Sequence, residues 1–152
     1  MSLIVIAVGK QHEPWVSDGI SMYQKRLRGP FLFEWVLLPH SSLRGPEARQ
    51  EESERILSRL KPSDNVVLLD ERGKNWSSPQ FSEFIESSQA NFGRTVIVIG
   101  GAYGVSEALR TRANTVWSLS NLVLPHQLVR LVLVEQLYRA QQIATGGSYH
   151  HE

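Results

Sequence analysis

Three short runs of the sequence are apolar at almost every position: Leu3–Gly9, Asn65–Asp70 and Thr95–Ile99. Such runs, rich in valine, leucine and isoleucine, are typical of strands buried on both faces of a parallel sheet. Two further strands are predicted at Phe31–Leu38 and around Thr115–Trp117. In the segments between the strands, apolar residues recur at the spacing of an α-helix. The alternation predicts an α/β fold with a mainly parallel, five-stranded sheet and helices on both faces.

The segments between these strands predict the covering helices. The first helix is expected from Pro14 to about Arg28, the second from Glu47 to about Leu60, and the third from Ser77 to Gly93. The second is dense in charge, and we interpret it as mostly a solvated surface, from which we infer no site. Apolar spacing predicts the following inner positions for the first and third helices: Trp15, Ile20, Tyr23, Leu27, Phe81, Phe84, Ile85 and Phe92.

Composition narrows the class of protein. The 152 residues, 41% of them hydrophobic, predict one domain with a sizeable core. The absence of cysteine excludes disulfides and thiolate metal sites, and it fits a reducing compartment. No apolar run is long enough to span a bilayer. We therefore expect a cytoplasmic protein without a membrane or metal partner. The net charge of +1 means that any surface for nucleic acid must be local.

Two loops predict a ligand pocket. Gly100-Gly101-Ala102-Tyr103-Gly104 follows the strand that ends at Ile99, at the sheet edge where α/β proteins place their ligands. A tight turn without a ligand is the alternative. The loop Ser118–His126 contains both small polar and apolar residues, and it suits a ligand with polar and apolar parts. Leu69 and Asp70 end a neighbouring strand and are candidates for the same pocket, although Asp70 equally suits a turn cap.

The last helix is apolar nearly all the way round. Between Leu128 and Ala140 the apolar positions leave no wide solvent face. Such a helix must be covered on two sides. We expect one cover to be the sheet of its own chain and the other to be a second copy of the protein.

Two segments leave a structural and a functional interpretation open. Lys25, Arg26 and Arg28 suit a solvated helix end more readily than a contact with RNA phosphate. Near the end of the sequence, Tyr149-His150 follow Gly146-Gly147. Chain ends are usually inert, but this one offers a stacking ring and a group that titrates near neutral pH.

Taken together, these motifs resemble one family. The turn Ile99–Gly104, the loop Ser118–His126, the helix Leu128–Ala140 and the terminal Tyr149-His150 occur in the order and spacing of SPOUT methyltransferases. Within that class the chain is similar to the ribosomal RNA large subunit methyltransferase H group over its whole length. The resemblance implies a deep trefoil knot near the C-terminus, which topology rules alone would discount.

The resemblance also implies the chemistry. It implies a homodimer that transfers a methyl group to N3 of a pseudouridine in large-subunit ribosomal RNA, with the assembled ribosome as substrate. It implies S-adenosylmethionine as cofactor, held by these residues: Leu69, Gly101, Ser120, Asn121, Leu122, Val123, Leu124 and Pro125.

The catalytic roles are assigned from the chemistry of the reaction. Because N3 carries a weakly acidic proton, a base or a cation beside the developing anion would help. His150 is the first candidate for the base, Tyr149 for stacking on the target, and Arg139 or Arg130 for holding phosphate or charge. Glu135 is expected to pair with Arg139, four residues further on. The match does not decide which residue takes the proton.

Two rival functions remain. A dinucleotide-binding domain is disfavoured because the turn at Gly100–Gly104 lacks the spacing G-x-G-x-x-G. A catalytically silent RNA- or ribosome-binding module of the same fold is the alternative that binding and activity measurements distinguish.

Overall fold

The computed structural model describes residues 2–151, and Met1 and Glu152 lie outside that range. Five strands alternate with helices along the chain. Their bounds are β1 Ser2–Val8, α1 Pro14–Gln24, β2 Glu34–Leu38, α2 Gly45–Leu57, β3 Asn65–Asn75, α3 Ser78–Asn91, β4 Arg94–Ile99, α4 Glu107–Arg112, β5 Thr115–Ser118 and α5 His126–Thr145.

The strands form one parallel sheet in the order β2-β1-β4-β3-β5. Helices α1, α3 and α5 contribute to an apolar cluster on one face, and α2 and α4 to a second cluster on the other. The predicted architecture is therefore confirmed. Near its end, β3 departs from regular pairing with β5, since Leu69 and Lys74 both pair with Trp117. The residues between them bulge out at the carboxyl edge of the sheet.

Several local predictions are wrong. Helix α1 ends at Gln24, and a short 3-10 helix at Gly29–Phe31 delays the start of β2 to Glu34. Trp15 is 54% exposed because the helix turns Val16 and Ile20 towards the core instead.

One prediction about α3 also fails, and α2 is partly buried. Phe92, expected on the inner stripe of α3, is exposed just beyond the end of that helix. Helix α2 is not wholly a solvated surface, because Glu52 and Ser53 are buried. Glu52 lies on the same inward stripe as Ala48 and Ile56, four residues away on either side.

The polar centre of the core is Arg130, a fully buried residue of α5. Its guanidinium donates hydrogen bonds to the carbonyls of Val8 (2.8 Å), Gly9 (3.1 Å) and Gln11 (3.2 Å). It also contacts His12 Nδ1 at 3.2 Å. The proposed phosphate contact of Arg130 is therefore wrong, because the side chain is enclosed and its donors serve the end of β1.

None of the helices within residues 2–151 combines the length and the apolar character needed to cross a membrane. In the same part of the chain, no group of three or more His, Cys, Asp or Glu side chains is arranged to hold a metal ion.

Replacement of Arg130 tests its structural role. Arg130→Leu leaves buried carbonyls without donors and should lower the free energy of unfolding by about 3 kcal/mol or more. The same exchange at the exposed Arg59 should change it by less than about 0.5 kcal/mol. Chemical denaturation measures both. Equal, small losses would contradict the assignment.

Candidate functional site

A cavity of about 680 Å³ lies at the carboxyl edge of the sheet. Its walls are the segments that follow β3, β4 and β5, together with the first turn of α5. This is the edge at which open α/β sheets bind ligands, and the volume suits a small organic molecule. The lining includes Leu69, Asp70, Glu71, Arg72, Ile99, Gly100, Gly101, Leu119, Ser120, Leu122, Val123, Leu124, Pro125, His126 and Val129.

Seven of the eight predicted cofactor residues line this one cavity. Asn121 is not among the lining residues, although it is exposed in the same loop. Leu122 and Val123 are 73% and 77% exposed, so the loop presents apolar side chains beside the cavity. The structure thus brings the predicted residues together, while their role in holding a cofactor stays a prediction.

The glycine turn after β4 is closed by its own backbone. Gly104 has a φ of +78°, a conformation that favours glycine, and its N–H donates to the carbonyl of Gly101 at 3.1 Å. Gly101 is needed for a different reason. A Cβ atom at that position would lie 2.6 Å from Glu52 Oε1.

Glu52 is the residue beneath the site that sequence reasoning missed. The residue is only 4% exposed, and its Oε2 accepts a hydrogen bond from the Ser41 N–H at 2.9 Å. Its Oε1 is buried without a hydrogen-bond partner among residues 2–151. A carboxylate from the opposite layer thus supports the floor of the turn at Gly101. The sequence carries a partial signal, because Ala48, Glu52 and Ile56 share one helical stripe, but the charge of Glu52 points the other way.

Asp70 contributes a charged wall to the cavity. Its Oδ2 accepts from Arg110 Nη2 at 2.7 Å, and its Oδ1 accepts from the Arg72 N–H at 2.8 Å. Burial by itself would raise the pKa of Asp70, but the hydrogen bonds and positive charge of these arginines hold it below its ordinary value. Asp70 therefore lines the cavity and fixes the turn after Leu69, while a contact with the ligand stays a prediction.

His126 is the first residue of α5 and lines the cavity. Burial lowers the pKa of His126, and the nearby Arg130 and His40 lower it further, more than Glu13 and Glu52 raise it. The imidazole is therefore favoured in its neutral form, which offers one donor and one acceptor.

The three predicted catalytic residues meet at the other end of α5. Arg139 forms an ion pair with Glu135 at 3.0 Å, as predicted, and its guanidinium lies 4.8 Å from the centre of the Tyr149 ring. Tyr149 Oη donates to Glu135 Oε2 at 3.1 Å. Arg139 Nη1 lies 3.1 Å from His150 Nδ1. We call Glu135, Arg139, Tyr149 and His150 the tail cluster.

The contacts of the tail cluster constrain its protonation. Since a guanidinium can only donate, the contact with Arg139 requires an unprotonated Nδ1 on His150, and the ring proton then resides on Nε2. Burial raises the pKa of Tyr149, and its hydrogen bonds with Tyr23 and Glu135 raise it further. Tyr149 therefore stays protonated at neutral pH and acts as a donor.

The tail cluster and the cavity do not meet within one chain. Val129 is the last residue of α5 that lines the cavity, and Arg139 follows ten residues later. At the rise of an α-helix this separates them by roughly 15 Å. A group that reacts in the cavity is therefore out of reach of His150 of the same chain.

Comparison with known proteins identifies the family of the chain. Residues 1–150 match the family described as "Predicted SPOUT methyltransferase". A ribosomal RNA large subunit methyltransferase H of Hahella chejuensis is 39% identical, with all of both chains covered. The protein of the same name from Anaeromyxobacter sp. strain Fw109-5 is 41% identical, with 99% of each covered. The chain belongs to this methyltransferase family.

A solved structure is also similar. The SpoU methyltransferase AviRb from Streptomyces viridochromogenes, in complex with AdoMet, superposes with a TM-score of 0.49 at 15% identity. The match covers 97% of this chain and 59% of that one.

In this SPOUT methyltransferase, an added methyl group at Gly101 tests the support from Glu52. Gly101→Ala should destabilise the fold by about 1–3 kcal/mol, because the new Cβ overlaps the buried carboxylate. Gly93→Ala is the matched control, since nothing lies within 4 Å of its Cβ position. Denaturation of the double variant Gly101→Ala/Glu52→Ala should show a loss smaller than the sum of the single losses. Additive losses would contradict the contact.

Proposed function

We propose that this protein transfers a methyl group from S-adenosylmethionine to N3 of a pseudouridine in large-subunit ribosomal RNA. The observation that carries the proposal is the convergence of the predicted cofactor residues on one cavity, in a chain similar over its full length to ribosomal RNA large subunit methyltransferases H. The assembled ribosome is the proposed substrate particle, and the cytoplasm the proposed location. The relatives named ribosomal RNA large subunit methyltransferase H support the ribosomal substrate. The absence of cysteine supports the location.

The cavity fits S-adenosylmethionine in size and character. Leu69, Ile99 and Leu124 provide apolar wall, and the turn at Gly100-Gly101 brings backbone close to the ligand space. The ionised Asp70 adds negative charge beside a cofactor that carries a positive one. Leu69, Gly101 and the loop 120–125 would hold the cofactor, which when bound supplies a methyl group already activated for transfer.

The tail cluster suits removal of the N3 proton. The charge of Arg139, held in place by Glu135, would stabilise the anion that forms at the base. To accept the proton at Nδ1, His150 must first exchange its contact with Arg139 for one with the substrate. Tyr149 keeps its own proton and presents a ring for stacking and a hydroxyl for orientation.

A homodimer would complete the site. Leu128 and Val132 share one face of α5 with Glu135 and Arg139, and both lie half-buried outside the two apolar clusters. An apolar face of this kind is typical of a contact with a second copy. If two copies of α5 pack antiparallel along this face, the tail cluster of one chain approaches the cavity of its partner.

The path of the chain supports a trefoil knot in the same region. After β5, at the edge of the sheet, the loop 119–125 passes the ends of β3 and β4 to line their shared cavity. Helix α5 then returns to the end of β1, where Arg130 binds the carbonyls of Val8 and Gly9. We propose that this return threads the C-terminal segment through the preceding loops.

The activity is tested with ribosomes from cells that lack the endogenous enzyme. Incubation with labelled S-adenosylmethionine should give 3-methylpseudouridine, identified by mass spectrometry of the nucleosides. Arg139→Gln and His150→Ala should lower kcat by about 100-fold or more, since each removes a group from proton transfer or charge stabilisation. Cofactor binding without any methyl transfer by the unaltered protein would overturn the proposal in favour of the silent binding module.

Subunit mixing tests the shared site. Leu122→Arg alters an exposed position beside the cavity, and His150→Ala alters the tail cluster. Each variant alone should be inactive. After random exchange of subunits, an equal mixture should recover about a quarter of the unaltered activity, because half of the dimers then hold one intact site of two. A mixture that stays inactive although exchange is verified would place all groups of each site in one chain.

A further inference from the structure

The turn that follows α1 carries exposed positive charges. Lys25, Arg26 and Arg28 are all exposed, and no acidic residue occurs between Asp18 and Glu34. No carboxylate within residues 2–151 forms an ion pair with any of the three. We call Lys25–Arg28 the basic turn. It concentrates positive charge locally in a chain whose net charge is only +1.

The basic turn is held firmly rather than left as a frayed helix end. Leu27 is completely buried beneath it. The buried amide of Gln141 on α5 bridges the turn, because its Nε2 donates to the Arg26 carbonyl at 2.9 Å and its Oε1 accepts from the Arg28 N–H at 2.6 Å. The two charged side chains at Lys25 and Arg26 thus project from a backbone that α5 fixes in place.

The basic turn adjoins the tail cluster through aromatic rings. The Arg26 guanidinium lies 5.9 Å from the centre of the Tyr138 ring, which lies 4.8 Å from the Tyr149 ring. Tyr149 in turn contacts Arg139. Cations and rings therefore form one continuous surface from Lys25 to Arg139. Alternating positive charges and stacking surfaces are characteristic of sites for single-stranded or looped RNA.

We propose that the basic turn binds the phosphate backbone of the ribosomal RNA next to the target nucleotide. The inference rests on the proposed function and adds the surface that holds the substrate. Lys25 and Arg26 would contact phosphates, while Arg28 shapes the turn, since its Nη1 donates to the carbonyls of Lys25 and Leu27. Contacts of this kind position the substrate without reading its sequence, which leaves the choice of nucleotide to the site itself.

A charge-matched pair of variants tests the surface. Lys25→Gln/Arg26→Gln removes two charges from the basic turn. Arg59→Gln/Lys61→Gln removes two exposed charges from the segment between β3 and α2, the helix that packs on the other face of the sheet from α1. Binding to large ribosomal subunits, and to deproteinised large-subunit RNA at low salt, is measured over a series of salt concentrations. S-adenosylmethionine binding and the free energy of unfolding are measured alongside.

The first double variant should bind both RNA targets roughly tenfold more weakly, and the slope of log K against log salt should fall by about 2. Cofactor binding and stability should not change, and the control should bind like the unaltered protein. Equal effects of both double variants would overturn the proposal, since they would reflect net charge alone. A loss on the particle but not on deproteinised RNA would also overturn it and indicate a ribosomal protein as partner. These binding data are obtained without methyl transfer, so they stand apart from failure of the proposed reaction.

Discussion

The hydrogen bonds of Arg130 connect the two ends of the chain. A charged side chain is costly to bury without hydrogen-bond partners, and here the carbonyls of Val8 and Gly9 accept from Nη2 of Arg130. This contact fixes where α5 crosses the sheet. It thereby sets the first turn of α5 against the cavity and directs its other end towards the tail cluster. The positions of His126 and Arg139 both follow from this one anchor.

The cavity depends on contributions from both faces of the sheet. Its lining comes from loops at the carboxyl edge, but the turn at Gly101 rests on Glu52 from α2, in the opposite layer. The buried carboxylate requires a glycine above it, and the glycine allows the turn to lie close to the strands. Asp70 is constrained in a similar way by Arg110 of α4. Side chains distant in sequence thus shape a site whose visible lining is mostly backbone and apolar.

Helix α5 has two structural roles, since one face packs in the core and the other carries residues of the tail cluster. Its inward residues complete the core, as Leu133, Val134 and Leu137 do, and its outward face carries Glu135 and Arg139. The same helix also secures the basic turn through Gln141. A single helix therefore contributes to three regions with proposed functions.

The sequence by itself determined the sheet, the cavity and the family, because strand composition, glycine placement and loop spacing are local patterns. Seven of eight predicted cofactor residues meet for that reason, as does the pair Glu135–Arg139. Only the tertiary structure decided the burial of Arg130 and Glu52, and the exposure of Trp15. Charge and size suggest the opposite for each. Other segments of the chain reverse that tendency, because they supply carbonyl acceptors to Arg130 and a donor to Glu52, or fill the core in place of Trp15. Which part of α5 lines the cavity is also a tertiary property, since it depends on how the helix lies across the sheet.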